Sequence, residues 1–124
     1  MINKIVDTLP EAISDINDGA TVMISGFGES GCPTELIHAL VDHGASNLTL
    51  VNNNAGNGQI GLAALIKSGQ VKKIICSFPR TTDNEVFATA YRKKQIELEI
   101  VPQGTLAERI RAAGAGIGGF YTQT

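Results

Sequence analysis

Four runs of β-favouring residues begin near positions 20, 47, 71 and 96, about one every 25 residues, and a segment of helical period follows each. That spacing leaves few folds open. Strands alternating with helices build βαβ units, whose strands lie parallel in one sheet. The expected class is α/β, a mostly parallel sheet with helices on both faces. The fourth run, Ile96-Glu97-Leu98-Glu99-Ile100, alternates apolar with acidic residues and reads as an edge strand with one wetter face. No residue pattern recurs with the spacing, so it reflects supersecondary units and not a solenoid. At 43% hydrophobic and 18% charged, 124 residues suffice for one packed core. No break in composition divides the chain, so residues 1–124 read as a single domain.

The helices carry start and stop signals. Thr8 and Glu11 have capping-box spacing with Pro10 in the first turn, and Leu9, Ala12, Ile13 and Ile16 share a face. They predict a helix ending near Asp18-Gly19. Pro33 opens the next, with Leu36, Ile37, Leu40 and Val41 as its buried stripe and Gly44 as its stop. A short helix holds Leu62, Leu65 and Ile66. Thr82 with Glu85 and Thr105 with Glu108 give two more capping boxes. The first opens a helix with Val86, Phe87, Ala90 and Tyr91 inward; the second opens one that runs to about Ala113, followed by a loop.

In a parallel sheet every strand-to-helix loop emerges at the carboxyl edge, where α/β proteins bind ligands. Here those loops are Gly26 to Pro33, Asn52 to Gly58, Phe78 to Thr81 and Pro102 to Gly104. All are marked by glycine, asparagine or proline, whereas the opposite connections are short and plain. The site belongs on the carboxyl edge. A net charge of −2 gives no footprint for nucleic acid or an anionic membrane surface. No apolar run reaches bilayer length, and Met1-Ile2-Asn3-Lys4 starts neither a signal nor a transit peptide. With Cys32 and Cys76 both expected as free thiols, the chain reads as cytoplasmic.

Three features carry chemistry. Gly26, Gly28 and Gly31 fit G-x-G-x-x-G between a strand and a helix, the context of a dinucleotide fingerprint. That fingerprint expects an acid after the second strand, where this chain has Val51-Asn52-Asn53-Asn54. Pro33 also removes an amide from the helix turn that would face a pyrophosphate. Both points weigh against a nicotinamide or flavin dinucleotide. The three asparagines fit either a tight turn or a polar surface that orients a carbonyl or carboxylate. A nucleophile is harder to find. Cys32 near a helix start is open to a lowered pKa, but His38 and His43 lie further along that helix and too far apart on it to pair on a metal. Ser25 and Ser30 have no recognisable base, Cys76 sits in an apolar strand, and Glu29 is the only carboxylate within the glycine loop. No metal site is expected.

The chain resembles the A subunit of family I coenzyme A transferases. The resemblance rests on Asp18-Gly19, the aliphatic Val22-Met23-Ile24, then Gly26-Phe27-Gly28-Glu29-Ser30-Gly31-Cys32-Pro33, with Ser25 where the family signature has a glycine. Asn53-Asn54-Ala55-Gly56 and Pro102-Gln103-Gly104-Thr105-Leu106-Ala107-Glu108-Arg109-Ile110-Arg111 are further matches, followed by Gly114-Ala115-Gly116. It implies that a glutamate, supplied by a homologous B subunit, attacks an acyl-CoA and becomes an enzyme thioester, with ping-pong kinetics. It also implies that Ile24, Ser25, Gly26, Phe27, Gly28, Glu29, Ser30 and Gly31 form a loop facing coenzyme A. Asn53, Asn54 and Gln103 would line the acyl and carboxylate pocket, and no residue of this chain would be the nucleophile. Coenzyme A enters as a substrate, with no tightly bound cofactor.

Cys76-Ser77-Phe78-Pro79-Arg80 is similar to the branch acting on 3-oxoadipate and succinyl-CoA, acetoacetate being the other acceptor. Arg80 would then pair with the distal carboxylate of a dicarboxylic substrate; the plain alternative is a solvated loop arginine. The family's A chains are about twice as long, so the resemblance implies an amino-terminal part of one, or a short form. The expectation is a chain inactive alone, whose exposed sheet surface is covered by a partner or by self-association. The competing readings are a non-catalytic binding or assembly module and, more weakly, a dinucleotide-binding oxidoreductase domain.

Overall fold

A computed structural model describes residues 1–123. The elements run α1 (Leu9–Ala12), β1 (Thr21–Met23), α2 (Thr34–His43), β2 (Leu48–Val51), α3 (Leu62–Lys67), β3 (Val71–Cys76), α4 (Glu85–Arg92), β4 (Glu97–Ile100) and α5 (Gln103–Gly114). The strands form one sheet in the order β1-β2-β3-β4, and every pairing is parallel. The α/β class expected from the spacing is the class observed, with β4 at an edge.

Register explains which side is buried. Val22 lies opposite Leu50, Leu50 opposite Ile74, and Ile74 opposite Leu98, so one apolar row crosses all four strands. Crossovers of one hand between sequential parallel strands place helices on one face, and α3 packs against both α2 and α4. Leu50 and Ile74 accordingly share a core with Ile37, Leu40, Leu65 and Phe87. Burying each such side chain contributes roughly 1.5–3 kcal/mol. On the other face α5 covers the β2–β3 side through Leu106, which packs with Val51, Val101 and Ile75. The β1 end of that face is open, with Met23 59% exposed.

An ion-pair cluster ties α5 to this second face. Glu99 receives Lys73 Nζ at 2.8 Å and Arg109 Nη1 at 2.9 Å, linking β4 to β3 and to α5. The hydrogen bond from Lys73, then that from Arg109, holds its carboxyl below the usual range. A depressed folded-state pKa means that the stabilisation is present above the unfolded carboxylate pKa. It is lost as pH falls through the folded value. Glu99→Gln is therefore expected to lower thermal stability slightly at neutral pH, with the gap to the parent chain closing in acid. A gap that persists unchanged below the carboxylate range would contradict the linkage.

Two helix starts and one helix end differ from expectation. Thr8 Oγ1 does cap, accepting from Glu11 N at 3.3 Å, but α1 lasts one turn, ending at Ile13 with φ −115°. Ser14 Oγ donates to the Glu11 carbonyl and diverts the chain from the helix. Thr82 does not cap α4. Asn57 Oδ1 takes the Asp83 N–H at 3.0 Å, tying this segment to the loop after β2, and Glu85 turns to Thr89 and Arg92 instead. Thr105 does not cap α5 either: that helix starts at Gln103, and Glu108 pairs with Arg111. Two inward assignments also fall at the rim, Leu36 at 37% and Tyr91 at 49% exposure.

Candidate functional site

All four carboxyl-edge loops converge. The first is a tight hairpin: Phe27 and Ser30 exchange backbone hydrogen bonds at 2.9 and 3.2 Å across the Gly28-Glu29 turn. Gly26 (φ +129°) and Gly28 (φ +62°) make that turn possible. Ser25 Oγ donates to the Gly31 carbonyl at 2.8 Å and closes the loop at its base. The serine that departs from the family signature thus fills a bracing role. Two amides of the G-x-G-x-x-G run are paired to each other's residues rather than open for a phosphate, which further weakens the dinucleotide reading.

The asparagines divide their labour. Asn52 is buried; its Nδ2 donates to the Ile24 carbonyl at 2.5 Å and to the Ser25 carbonyl at 3.3 Å, while its Oδ1 accepts from Asn54 N. Asn54, also buried, spans Gly28 O at 3.4 Å and Gly56 N at 2.8 Å. These two hold the glycine loop to the β2 loop. Removing such a buried carboxamide strands several backbone groups, each costing about 1–3 kcal/mol. Asn53 is less buried. Its Nδ2 has no protein acceptor among the described residues, and Ser77 Oγ lies 3.3 Å from its Oδ1.

Ser77 begins the third loop, where Phe78 N donates to the Asn53 carbonyl and Thr81 Oγ1 to the Gly56 carbonyl at 2.8 Å. Gln103, in the first turn of α5, brings its Oε1 to the Ser77 hydroxyl. Together the loops enclose an open groove of ≈ 520 Å³, with Asn53, Asn54, Ser77 and Gln103 among its lining and Phe27 and Phe78 as exposed phenyl walls. Arg80 is the single charged residue lining it, and no carboxylate pairs with Arg80 among the described residues.

The expected site residues therefore fall into two groups. Phe27, Gly28, Asn53, Asn54, Arg80 and Gln103 meet at the groove. Ile24 lies in the core beneath it, and Ser25, Gly26, Glu29, Ser30 and Gly31 form the hairpin's base and tip outside its lining. Cys32 lies away from it too, and burial followed by the nearby Glu29 raises its thiol pKa, the reverse of an activated cysteine. Cys76 is core, its thiol pushed up to about 11 by burial. The sequence does not single out Ser77, Asn57 or Thr81; Ser77 does carry a signal, being the first polar residue after the apolar run Ile74-Ile75-Cys76 at the carboxyl edge. Among the described residues no cluster of His, Cys, Asp and Glu is arranged to hold a metal.

Chemically, the groove offers amide donors and one guanidinium, and among the described residues no carboxylate, histidine or lysine lines it. Such a surface binds carbonyl and carboxylate oxygens and polarises them. Residues 6–124 match the coenzyme A transferase family. The chain belongs to that family. Two curated relatives are the A subunits of the 3-oxoadipate CoA-transferases from Acinetobacter baylyi, 61% identical, and Pseudomonas putida, 56% identical. Each match covers 100% of this chain and 54% of the relative, so the chain spans about half the length of the curated relatives it matches. An acyl-CoA transferase from Escherichia coli O157:H7, solved as a thioester complex with CoA, shares the fold at a TM-score of 0.73 and 26% identity. That superposition covers 91% of this chain and 23% of the other. Among the described residues no helix is long and apolar enough to cross a membrane.

Proposed function

We propose that this chain is the amino-terminal part of the A subunit of a CoA-transferase. Its groove binds the acyl and carboxylate oxygens of the substrates while a partner B subunit supplies the nucleophilic glutamate. The carrying observation is the composition of the groove: among the described residues its lining holds neutral carboxamides and one arginine, and no carboxylate. A nucleophilic carboxylate brought in by a partner meets donors there, and no competing negative charge raises its pKa. The donor is succinyl-CoA and the acceptor a 3-oxo acid. Arg80 favours 3-oxoadipate over acetoacetate because only the former has a second carboxylate to engage it. Coenzyme A passes through as substrate, in the cytoplasm.

The chemistry is covalent. The partner's glutamate attacks the acyl-CoA carbonyl, the thiolate leaves, and CoA reopens the resulting anhydride as an enzyme thioester and frees succinate. The acceptor carboxylate takes the CoA by the reverse steps. Asn53 and Gln103 stabilise the oxyanions that form on the way. Their donors need no reorganisation if the loops already hold them.

The whole protein assembled with its B subunit tests this reading. Succinyl-CoA and 3-oxoadipate should turn over with ping-pong kinetics, and the 124-residue chain alone should give none. Turnover by the isolated chain, or sequential kinetics in the assembly, would remove the shared-site mechanism.

A further inference from the structure

Ser77 stands where three of the four loops meet. Its Oγ lies 3.1 Å from the Asn53 carbonyl and 3.3 Å from Asn53 Oδ1, and it bonds Gln103 Oε1 at closer range. A serine hydroxyl has one proton to donate. The Asn53 carbonyl already accepts the Phe78 N–H at 3.1 Å. Gln103 Oε1 has no other donor among the described residues. Donation to Gln103 commits the oxygen end of that carboxamide to Ser77. Both Nε2 protons are then left unspent in the lining of the groove. Ser77 is no nucleophile here, because among the described residues no histidine, lysine or carboxylate lines the groove to take its proton.

From this geometry we infer that Ser77 is a positioning residue that fixes the Gln103 carboxamide as a hydrogen-bond donor toward a substrate oxygen. The inference rests on the substrate-binding reading of the groove. It makes the first residue after β3 responsible for the orientation of the first residue of α5. A hydroxyl is required at that position, and its effect passes through Gln103.

A double-mutant cycle in the whole protein assembled with its partner tests this, using Ser77→Ala, Gln103→Ala and both together. Losing one orienting hydrogen bond should lower kcat about tenfold, with KM changed by less than about threefold. Ser77→Thr, which keeps the hydroxyl, should recover most of the rate. In the Gln103→Ala background Ser77→Ala should cost less than about twofold more. Losses that multiply, or a Ser77→Ala variant with full kcat, would overturn the inference. A second readout needs no turnover. The Gln103 side-chain N–H signals in a ¹⁵N–¹H spectrum of the assembled protein should shift in Ser77→Ala and return in Ser77→Thr. Signals indifferent to Ser77→Ala would also overturn it. A shift in an assembly that transfers no CoA would support the positioning and count against the transferase reading alone.

Discussion

Gly56→Ala should cost this chain about 2–5 kcal/mol and lower its melting temperature by roughly 8–20 °C. Gly56 has φ +88°, and a Cβ there would lie 2.8 Å from Ala63 N and 3.2 Å from Ala63 Cα. The neighbour is helix backbone, which has no rotamer to yield. Left-handed backbone accounts for about 1–2 kcal/mol of the loss and overpacking for about 1–3. Out of a typical total of about 5–15 kcal/mol, the substitution takes a large share. The damage also reaches the groove, because Gly56 donates to Asn54 Oδ1 and accepts from Thr81 Oγ1, joining the second and third loops. Gly58→Ala is the control. It too has positive φ (+63°), but a Cβ would meet nothing within 4 Å. It should lose only the backbone share, about 1–2 kcal/mol. Equal losses at the two positions, read by thermal or denaturant unfolding, would show that the approach to α3 does not govern the cost.

Arg80→Gly carries the second large effect, on selectivity and not on stability. The side chain is exposed and unpaired among the described residues, so the fold loses little without it. A charge-assisted hydrogen bond to a substrate carboxylate contributes about 1.5–3 kcal/mol, roughly 10- to 150-fold in kcat/KM. A solvated pair contributes about 0–1 kcal/mol. The two cases are therefore separable by magnitude. In the whole protein assembled with its partner, Arg80→Gly should lose at least about tenfold on 3-oxoadipate. On acetoacetate, which has no second carboxylate, it should change by less than about threefold. Arg80→Lys should recover part of the loss, keeping the charge but not the planar fork. An unchanged preference for the dicarboxylate would leave Arg80 as a solvated loop residue.

The sheet and its binding edge are legible in the sequence because each rests on a periodic or positional signal. Apolar runs at regular spacing could only alternate as βαβ, and the row Val22-Leu50-Ile74-Leu98 is the outcome. Helix starts are less legible, because capping signals are local whereas the hydrogen bonds that win are not. Asp83 N finds Asn57 across 26 residues of sequence, which leaves Thr82 out of the cap. The candidate site's geometry is readable in outline: Asn53, Asn54, Arg80 and Gln103 do share a groove. What composition does not separate is lining from scaffold. Asn52, Asn53 and Asn54 are chemically identical, and only burial and partners distinguish the two braces from the residue whose amide has no acceptor among the described residues. Ser77 escapes notice because a lone serine without a base reads as inert. Its significance depends on Gln103, placed beside it by the β3–β4 pairing.

The groove as a receptor for a partner's glutamate is the central claim, and the position of the covalent intermediate tests it most directly. The assembled protein is incubated with succinyl-CoA without acceptor, digested, and its peptides weighed. The account predicts CoA mass on one glutamate of the partner B subunit, with none on this chain. CoA bound through Glu29, or through any other carboxylate of these 124 residues, would contradict it.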